Sequence, residues 1–250
     1  MKERCLTIYF IIFMLLVTSL SGCRRDEPSS LSRITIEGVK SYYTYSNMES
    51  GSKEGLPALI IIGHPADRRA SSERFIDQFN EPVLLIWCRL LDDLRDDTLV
   101  DDNTVWQRKK KAFLASFKGY QDHFRFDEKR VYLTGFSFAG AYAWMLAYDR
   151  PDLYTGVVAM SAVSYPEQLQ QNLKSGESIV TVVVRGRNDA AFPERLAQET
   201  ETGRVIESRN PHSKFVLKQD EDHGSVAKYW LQYLSYILQF SRPDVQSSGS

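Results

Sequence analysis

Three residues among the 250 have the types and the order for nucleophilic chemistry. Ser137 lies in Gly135-Phe136-Ser137-Phe138-Ala139-Gly140, between the apolar run RVYLTG (130–135) and the helical run AYAWMLAY (141–148). A serine in a tight strand-to-helix turn has its Oγ raised above the sheet, with a helix N-terminus behind it. Residues two before and two after it must be small, because larger side chains would strike the strand or the helix. Ala139 stands where a second glycine is usual, and Gly140 beside it can relieve the packing. A serine hydroxyl is a weak nucleophile at its own pKa, so it needs a general base, which in turn needs an orienting carboxylate. Asp189 follows the run IVTVVV (179–184), in Arg185-Gly186-Arg187-Asn188-Asp189. His223 follows FVLK (215–218), in Gln219-Asp220-Glu221-Asp222-His223-Gly224. Alone, Asp189 reads as a turn aspartate and His223 as a helix-start residue. In the order Ser137, Asp189, His223, each at the carboxyl end of an expected strand, they read as a triad for acyl transfer.

Such a site also needs N–H donors for the oxyanion of the tetrahedral intermediate. The first expected donor is the N–H of Phe138, directly after the serine. The second is expected from Gly63-His64-Pro65-Ala66, which follows the run ALIII (58–62). Pro65 has no N–H, so Ala66 is the expected donor and the His64 N–H its competitor. Of the other histidines, His123 falls near the end of a helix and His212 at the start of a strand, on the wrong edge. The aspartates Asp92, Asp93, Asp96, Asp97, Asp101 and Asp102 lack the spacing and central glycine of a calcium loop and read as a solvated loop. Neither a metal nor a cofactor is expected.

The elements that would position these residues alternate. Short apolar β-branched runs at 58–63, 82–88, 130–135, 156–160, 179–184 and 215–218 read as buried strands, and RITIEGVKSYYTYS (33–46) as an opening antiparallel hairpin. Tyr42, Tyr43 and Tyr45 alternate on that hairpin, where they pack or face solvent. Trp106, Phe113, Phe117, Tyr120 and Phe124 share one helix face, preceded by Thr104-Val105-Trp106-Gln107 in the form of a capping box. On that helix, Arg108-Lys109-Lys110-Lys111 reads as an exposed basic face. Val226, Trp230, Tyr233, Leu234 and Ile237 repeat the pattern in a last helix. Strands separated by helices give a mostly parallel sheet covered on both faces, one α/β domain spanning 33–240.

That domain has an address in front of it. Lys2 and Arg4 precede an apolar run of 15 residues from Leu6 to Leu20, which ends at Ser21-Gly22-Cys23. The run is shorter than the roughly 20 residues a spanning helix needs, so it reads as a secretory signal rather than an anchor. LSGC resembles the lipobox of bacterial lipoproteins. That resemblance implies cleavage after residue 22, lipid on Cys23, and attachment to the membrane of a bacterial cell envelope. Residues 23–32 then read as a flexible tether and 241–250 as a disordered tail. With 31 Lys and Arg against 32 Asp and Glu, the net charge is −1 and no basic surplus exists to hold nucleic acid. Of the three cysteines, only Cys88 lies in the folded body, so no disulfide framework is expected.

The run FRFDEKRVYLTGFSFAGAYAWMLAYDRPDLYTGVVAMSA (124–162) resembles the core of α/β-hydrolase serine esterases of the polyhydroxyalkanoate-depolymerase and feruloyl-esterase type. Asp127, Arg130, Gly135, Ser137, Pro151 and Asp152 fit that pattern, and the loops around Asp189 and His223 resemble its acid and base loops. Ala139 and the Gly63-His64-Pro65 sequence depart from it. The resemblance implies an α/β-hydrolase fold and hydrolysis of carboxylic esters through an acyl-enzyme on Ser137. A cap domain is often inserted before the acid strand in this fold. Here only Val163–Ser178 is available, enough for one short helix carrying Leu169 and Leu173, so no large cap and an open cleft are expected. Short-acyl esters, or esters on a polysaccharide, follow as the expected substrates. Two other readings stay open: a small serine peptidase, and a non-catalytic envelope lipoprotein that keeps the fold for binding.

Overall fold

The computed structural model describes residues 31–46, 52–67, 69, 71–91, 103–162, 175–190 and 196–242. The signal segment, Cys23, the acidic run 92–102 and most of the interval 163–178 lie outside the described residues.

The expected strands all form. A hairpin of β1 (Ser32–Ile36) and β2 (Val39–Ser46) leads into β3 (Ala58–Ile62), β4 (Val83–Cys88), β5 (Val131–Phe136), β6 (Gly156–Met160), β7 (Val180–Gly186) and β8 (Lys214–Lys218). They make one eight-stranded sheet in the order β1-β2-β4-β3-β5-β6-β7-β8. β2 pairs antiparallel with both β1 and β4, and every other pair is parallel. Parallel pairing needs crossovers. Helices α1 (Asn103–Phe124), α2 (Phe138–Asp149) and α3 (Leu196–Arg209) lie in such crossovers, while α4 (Trp230–Ile237) follows the last strand after a 3-10 segment at Ser225–Tyr229.

The central strands are apolar on both faces because both faces are covered. Ala58, Ile60 and Ile62 of β3 pack with Leu84 and Ile86 of β4 beneath Trp106, Phe113, Phe117 and Tyr120 of α1 and Trp144 of α2. Leu59, Ile61, Leu85 and Trp87 point the other way, onto Phe75 and onto Trp230, Leu234 and Ile237 of α4. Tyr42 is 1% exposed, and Tyr43 is seated on Phe124 with ring centroids 4.8 Å apart, so the hairpin tyrosines are packing residues.

Three expectations need correction. The helix reaches back to Asn103, so Thr104 lies inside it rather than capping it. Gln107 Nε2 donates to Asn103 Oδ1 at 3.3 Å instead. The basic run on α1 is not one solvated face. Lys109 is 6% exposed and its Nζ donates to Leu90 O at 2.7 Å, while Lys110 pairs with Asp149 at 2.9 Å. A run of four residues wraps more than a full helical turn, so its second member faces the sheet. Finally, Arg242, placed in the tail, is tied down: its N–H donates to Lys129 O at 2.9 Å and its guanidinium reaches Glu128 O.

Candidate active site

Parallel strands bring their carboxyl ends to one edge, and the registers place the candidate residues there. Gly135 sits opposite Ile62, Phe136 opposite Met160, Met160 opposite Val184, and Gly186 opposite Lys218. Ser137 follows at once on β5 and Ser161 on β6, while Asp189 lies in the loop after β7 and His223 in the loop after β8.

Ser137 has φ 56° and ψ −124°, a left-handed conformation that costs a non-glycine residue about 1–3 kcal/mol. The surroundings enforce it. Its N–H donates to Met160 O at 2.8 Å, and its carbonyl accepts from Ala141 N at 3.0 Å as α2 begins. The turn is closed by contact rather than by glycine freedom. A Cβ on Gly135 would lie 2.3 Å from the carbonyl carbon and oxygen of Ala139. On the helix side the crowded position is Gly140, where a Cβ would come within 2.9 Å of Gly135 O and 3.1 Å of Met160 O. Ala139 is half-buried against the core, so the departure from glycine is absorbed one residue away from the tight contact.

The three residues meet. His223 Nε2 is 3.0 Å from Ser137 Oγ, and His223 Nδ1 is 2.8 Å from Asp189 Oδ2. A carboxylate only accepts, so the proton between them belongs to Nδ1, which leaves Nε2 free to accept from the serine hydroxyl. The Asp189 side chain is 2% exposed. Behind it lies the Arg185 guanidinium, 1% exposed, with Nε 3.8 Å from Oδ2. Strand β7 runs on through Arg185 and Gly186, so the arginine is a strand residue and not part of the loop where the sequence placed it.

The loop carrying His223 is held from three sides. Gly186 lets it pass close: a Cβ there would lie 2.2 Å from Glu221 O and 2.6 Å from Asp222 O. Asn188 N donates to Glu221 O at 2.9 Å, joining the acid and base loops directly. Asp222 Oδ1 accepts from Gly224 N at 2.9 Å and Ser225 N at 2.7 Å. The Ser225 and Gly224 hydrogen bonds hold the Asp222 carboxyl below its usual pKa, so its charge shapes the loop while Asp189 meets the imidazole. Ser161 supplies the third hold. It has φ 45° and is 1% exposed; its N–H donates to Val184 O and its Oγ to His223 O, both at 2.8 Å. Its only signal in the sequence is its place at a strand end, after GVVAM.

Phe138 opens α2, so its N–H stands at the positive end of that helix. The Ala66 N–H is engaged otherwise than expected: it donates to His64 Nδ1 at 3.0 Å. His64 is buried, with its ring 5.8 Å from that of Tyr42. An oxyanion using the Ala66 N–H would have to take it from that imidazole. Around His223, Phe136 sets its ring edge-on to the imidazole at 5.3 Å and carries the Arg69 guanidinium 4.7 Å from its centroid. A cavity of about 600 Å³ between Glu37–Lys40, Arg89–Leu90 and Arg108–Ala112 includes none of the three site residues. His212, at the opposite edge, and His123, on the exposed side of α1, stay away from the site, as expected.

No family model matches the sequence, and no curated protein matches it. Solved structures do. Est1E from Butyrivibrio proteoclasticus superposes with a TM-score of 0.60 at 13% identity, over 85% of this chain and 100% of that one. The S-formylglutathione hydrolase FrmB from Staphylococcus aureus gives 0.55 at 15% identity, over 84% and 95%. The acylaminoacyl peptidase of Pyrococcus horikoshii gives 0.65 at 10% identity, over 88% of this chain and 43% of the peptidase. With its sheet order, its strained serine turn after β5 and these neighbours, the chain has the α/β-hydrolase fold.

Proposed function

We propose that the protein hydrolyses carboxylic esters by nucleophilic catalysis at Ser137. The observation that carries this reading is the bridging imidazole of His223, within hydrogen-bond reach of both a strained serine and a buried carboxylate. In the first half-reaction, Ser137 Oγ attacks the ester carbonyl carbon as His223 Nε2 takes its proton. The tetrahedral oxyanion faces the Phe138 N–H and the start of α2. His223 then gives the proton to the departing alkoxide and the C–O bond breaks, leaving the acyl group on Ser137. Water repeats the sequence: His223 accepts its proton, hydroxide adds to the acyl carbon, and the proton returns to Ser137 Oγ as the acid leaves. Asp189 keeps its negative charge throughout and stabilises the imidazolium.

The test is labelling with a fluorophosphonate probe together with hydrolysis of 4-nitrophenyl acetate. The expected result is labelling at Ser137, with labelling and hydrolysis both abolished in a folded Ser137→Ala variant. Failure of the wild type to label would leave the fold serving binding instead. Short-acyl or polysaccharide-linked esters are the substrates this reading favours, because the interval between β6 and β7 is too short for a large cap. A rate optimum at long acyl chains, or a jump at the substrate's solubility limit, would overturn that part. The reading places the enzyme on a bacterial envelope membrane through lipid on Cys23, supported by the lipobox-like LSGC. Cys23→Ser should abolish incorporation of radioactive palmitate.

A further inference from the structure

Arg69 places a cation beside this site. Its guanidinium lies over the ring of Phe136, the residue before Ser137, and that ring stands edge-on to His223. It also lies against Gly224, the residue after His223: a Cβ there would be 3.3 Å from Nη2 and 3.8 Å from Nε. Gly224 has φ −89° and ψ −38°, a conformation open to any residue, so glycine leaves room there for the arginine rather than meeting a backbone need.

The two acids beside Arg69 each hold backbone N–H groups with one carboxylate oxygen. Asp67 Oδ1 accepts the backbone N–H of Arg69 at 2.9 Å. Asp222 Oδ1, 3.7 Å from the same Gly224 Cβ position, holds the N–H groups of Gly224 and Ser225. Among the described residues Arg69 makes no ion pair, and its side chain is exposed. Stacking fixes the planar fork without using its in-plane donors, which therefore remain available to an incoming group.

We propose that Arg69 binds an oxyanion on the alcohol half of the substrate, so that the natural ester is one whose alcohol carries a carboxylate, sulfate or phosphate. The assignment rests on the esterase reading above. The side follows from the chemistry: His223 must protonate the departing oxygen, so the alcohol leaves from the His223 side of Ser137, where Arg69 stands.

The experiment compares three acetate esters of closely similar shape: 4-acetoxybenzoate, 4-acetoxybenzenesulfonate and neutral 4-acetoxybenzamide. A charge-assisted contact predicts that kcat/KM is about ten-fold higher for an anionic ester than for the amide. The carboxylate and sulfonate arms show which oxyanion is taken, and the preference should shrink as salt is raised. In Arg69→Gln the anionic-to-neutral ratio should fall to near one. Arg69→Lys should keep part of it, and Gly224→Ala, which presses on the guanidinium, should lower it. No preference in the wild type, or one that survives Arg69→Gln, overturns the inference and leaves the esterase reading standing. Calorimetry of 4-hydroxybenzoate against 4-hydroxybenzamide, on Ser137→Ala with and without Arg69→Gln, reads the same contact without turnover. Binding of the anion that is tighter and Arg69-dependent supports the inference even if no ester is hydrolysed. Equal binding of the two ligands counts against it.

Discussion

Replacing Asp189 by asparagine removes a charge from the site while keeping its shape. Both groups that approach Oδ2, His223 Nδ1 at 2.8 Å and Arg185 Nε at 3.8 Å, are donors, so the amide oxygen should take that position and the imidazole should keep its tautomer. What disappears is the attraction between the carboxylate and the imidazolium formed during attack. At a charge separation of about 4 Å and an effective dielectric of about 20 this is worth about 4 kcal/mol, or on the order of 10³ in rate. An aspartate-to-asparagine change in a triad elsewhere costs about 10⁴ with the histidine in the wrong tautomer, which sets the upper end of the loss here. Asp189→Asn should therefore lower kcat by roughly 10³ to 10⁴, read from 4-nitrophenyl acetate turnover and from the rate of fluorophosphonate labelling. The same change leaves the Arg185 guanidinium buried beside a neutral amide. Breaking a buried pair in this way costs about 3 kcal/mol, lowering Tm by roughly 6–12 °C in a domain of this size. A kcat within ten-fold of wild type would refute the reasoning. A crippled Asp222→Asn beside an active Asp189→Asn would show that the other carboxylate serves the histidine.

Gly186→Ala should displace the base loop, because the new methyl would sit 2.2 Å from Glu221 O; a stability loss of about 3 kcal/mol in urea unfolding and a steep fall in kcat are expected. Ser161→Ala removes the hydrogen bond to His223 O and should lower kcat about five-fold with KM unchanged. Ser161→Gly, which also relieves φ 45°, should lose the same activity if the hydroxyl is what matters. Ala139→Gly should leave kcat within two-fold while costing about 1 kcal/mol of stability, since the tight contact is at Gly140 and a glycine weakens α2.

Much of this was legible in local pattern. Buried parallel strands must be apolar on both faces, so runs such as ALIII and VLLIW declare themselves without any knowledge of their neighbours. A serine between such a strand and a helix declares itself too, since few residues fit a turn where Gly135 touches Ala139. Chain order placed Asp189 and His223 at strand ends, and parallel pairing then carries all such ends to one edge.

Other features depend on distances that no sequence period encodes. Lys109 belongs to a basic run, yet it is buried because a helix turns its second member toward Leu90 O. Arg185 is a strand residue because β8 pairs with β7 as far as Gly186. Ala66 has an N–H where Pro65 has none, but the nearby imidazole of His64 takes that N–H. Ser161 carries no motif; its hydroxyl meets the His223 carbonyl, 62 positions along the chain, only because the chain folds back across the sheet edge. Arg69 likewise meets Phe136 and Gly224 through contacts between the end of β5 and two separate loops. By itself the sequence determined the strands, the serine turn and the order of its partners, because each follows from local sterics and periodicity. The hydrogen bonds that aim the histidine and the cation beside it were decided by the tertiary structure, because each joins segments that meet only when the strands assemble into one sheet.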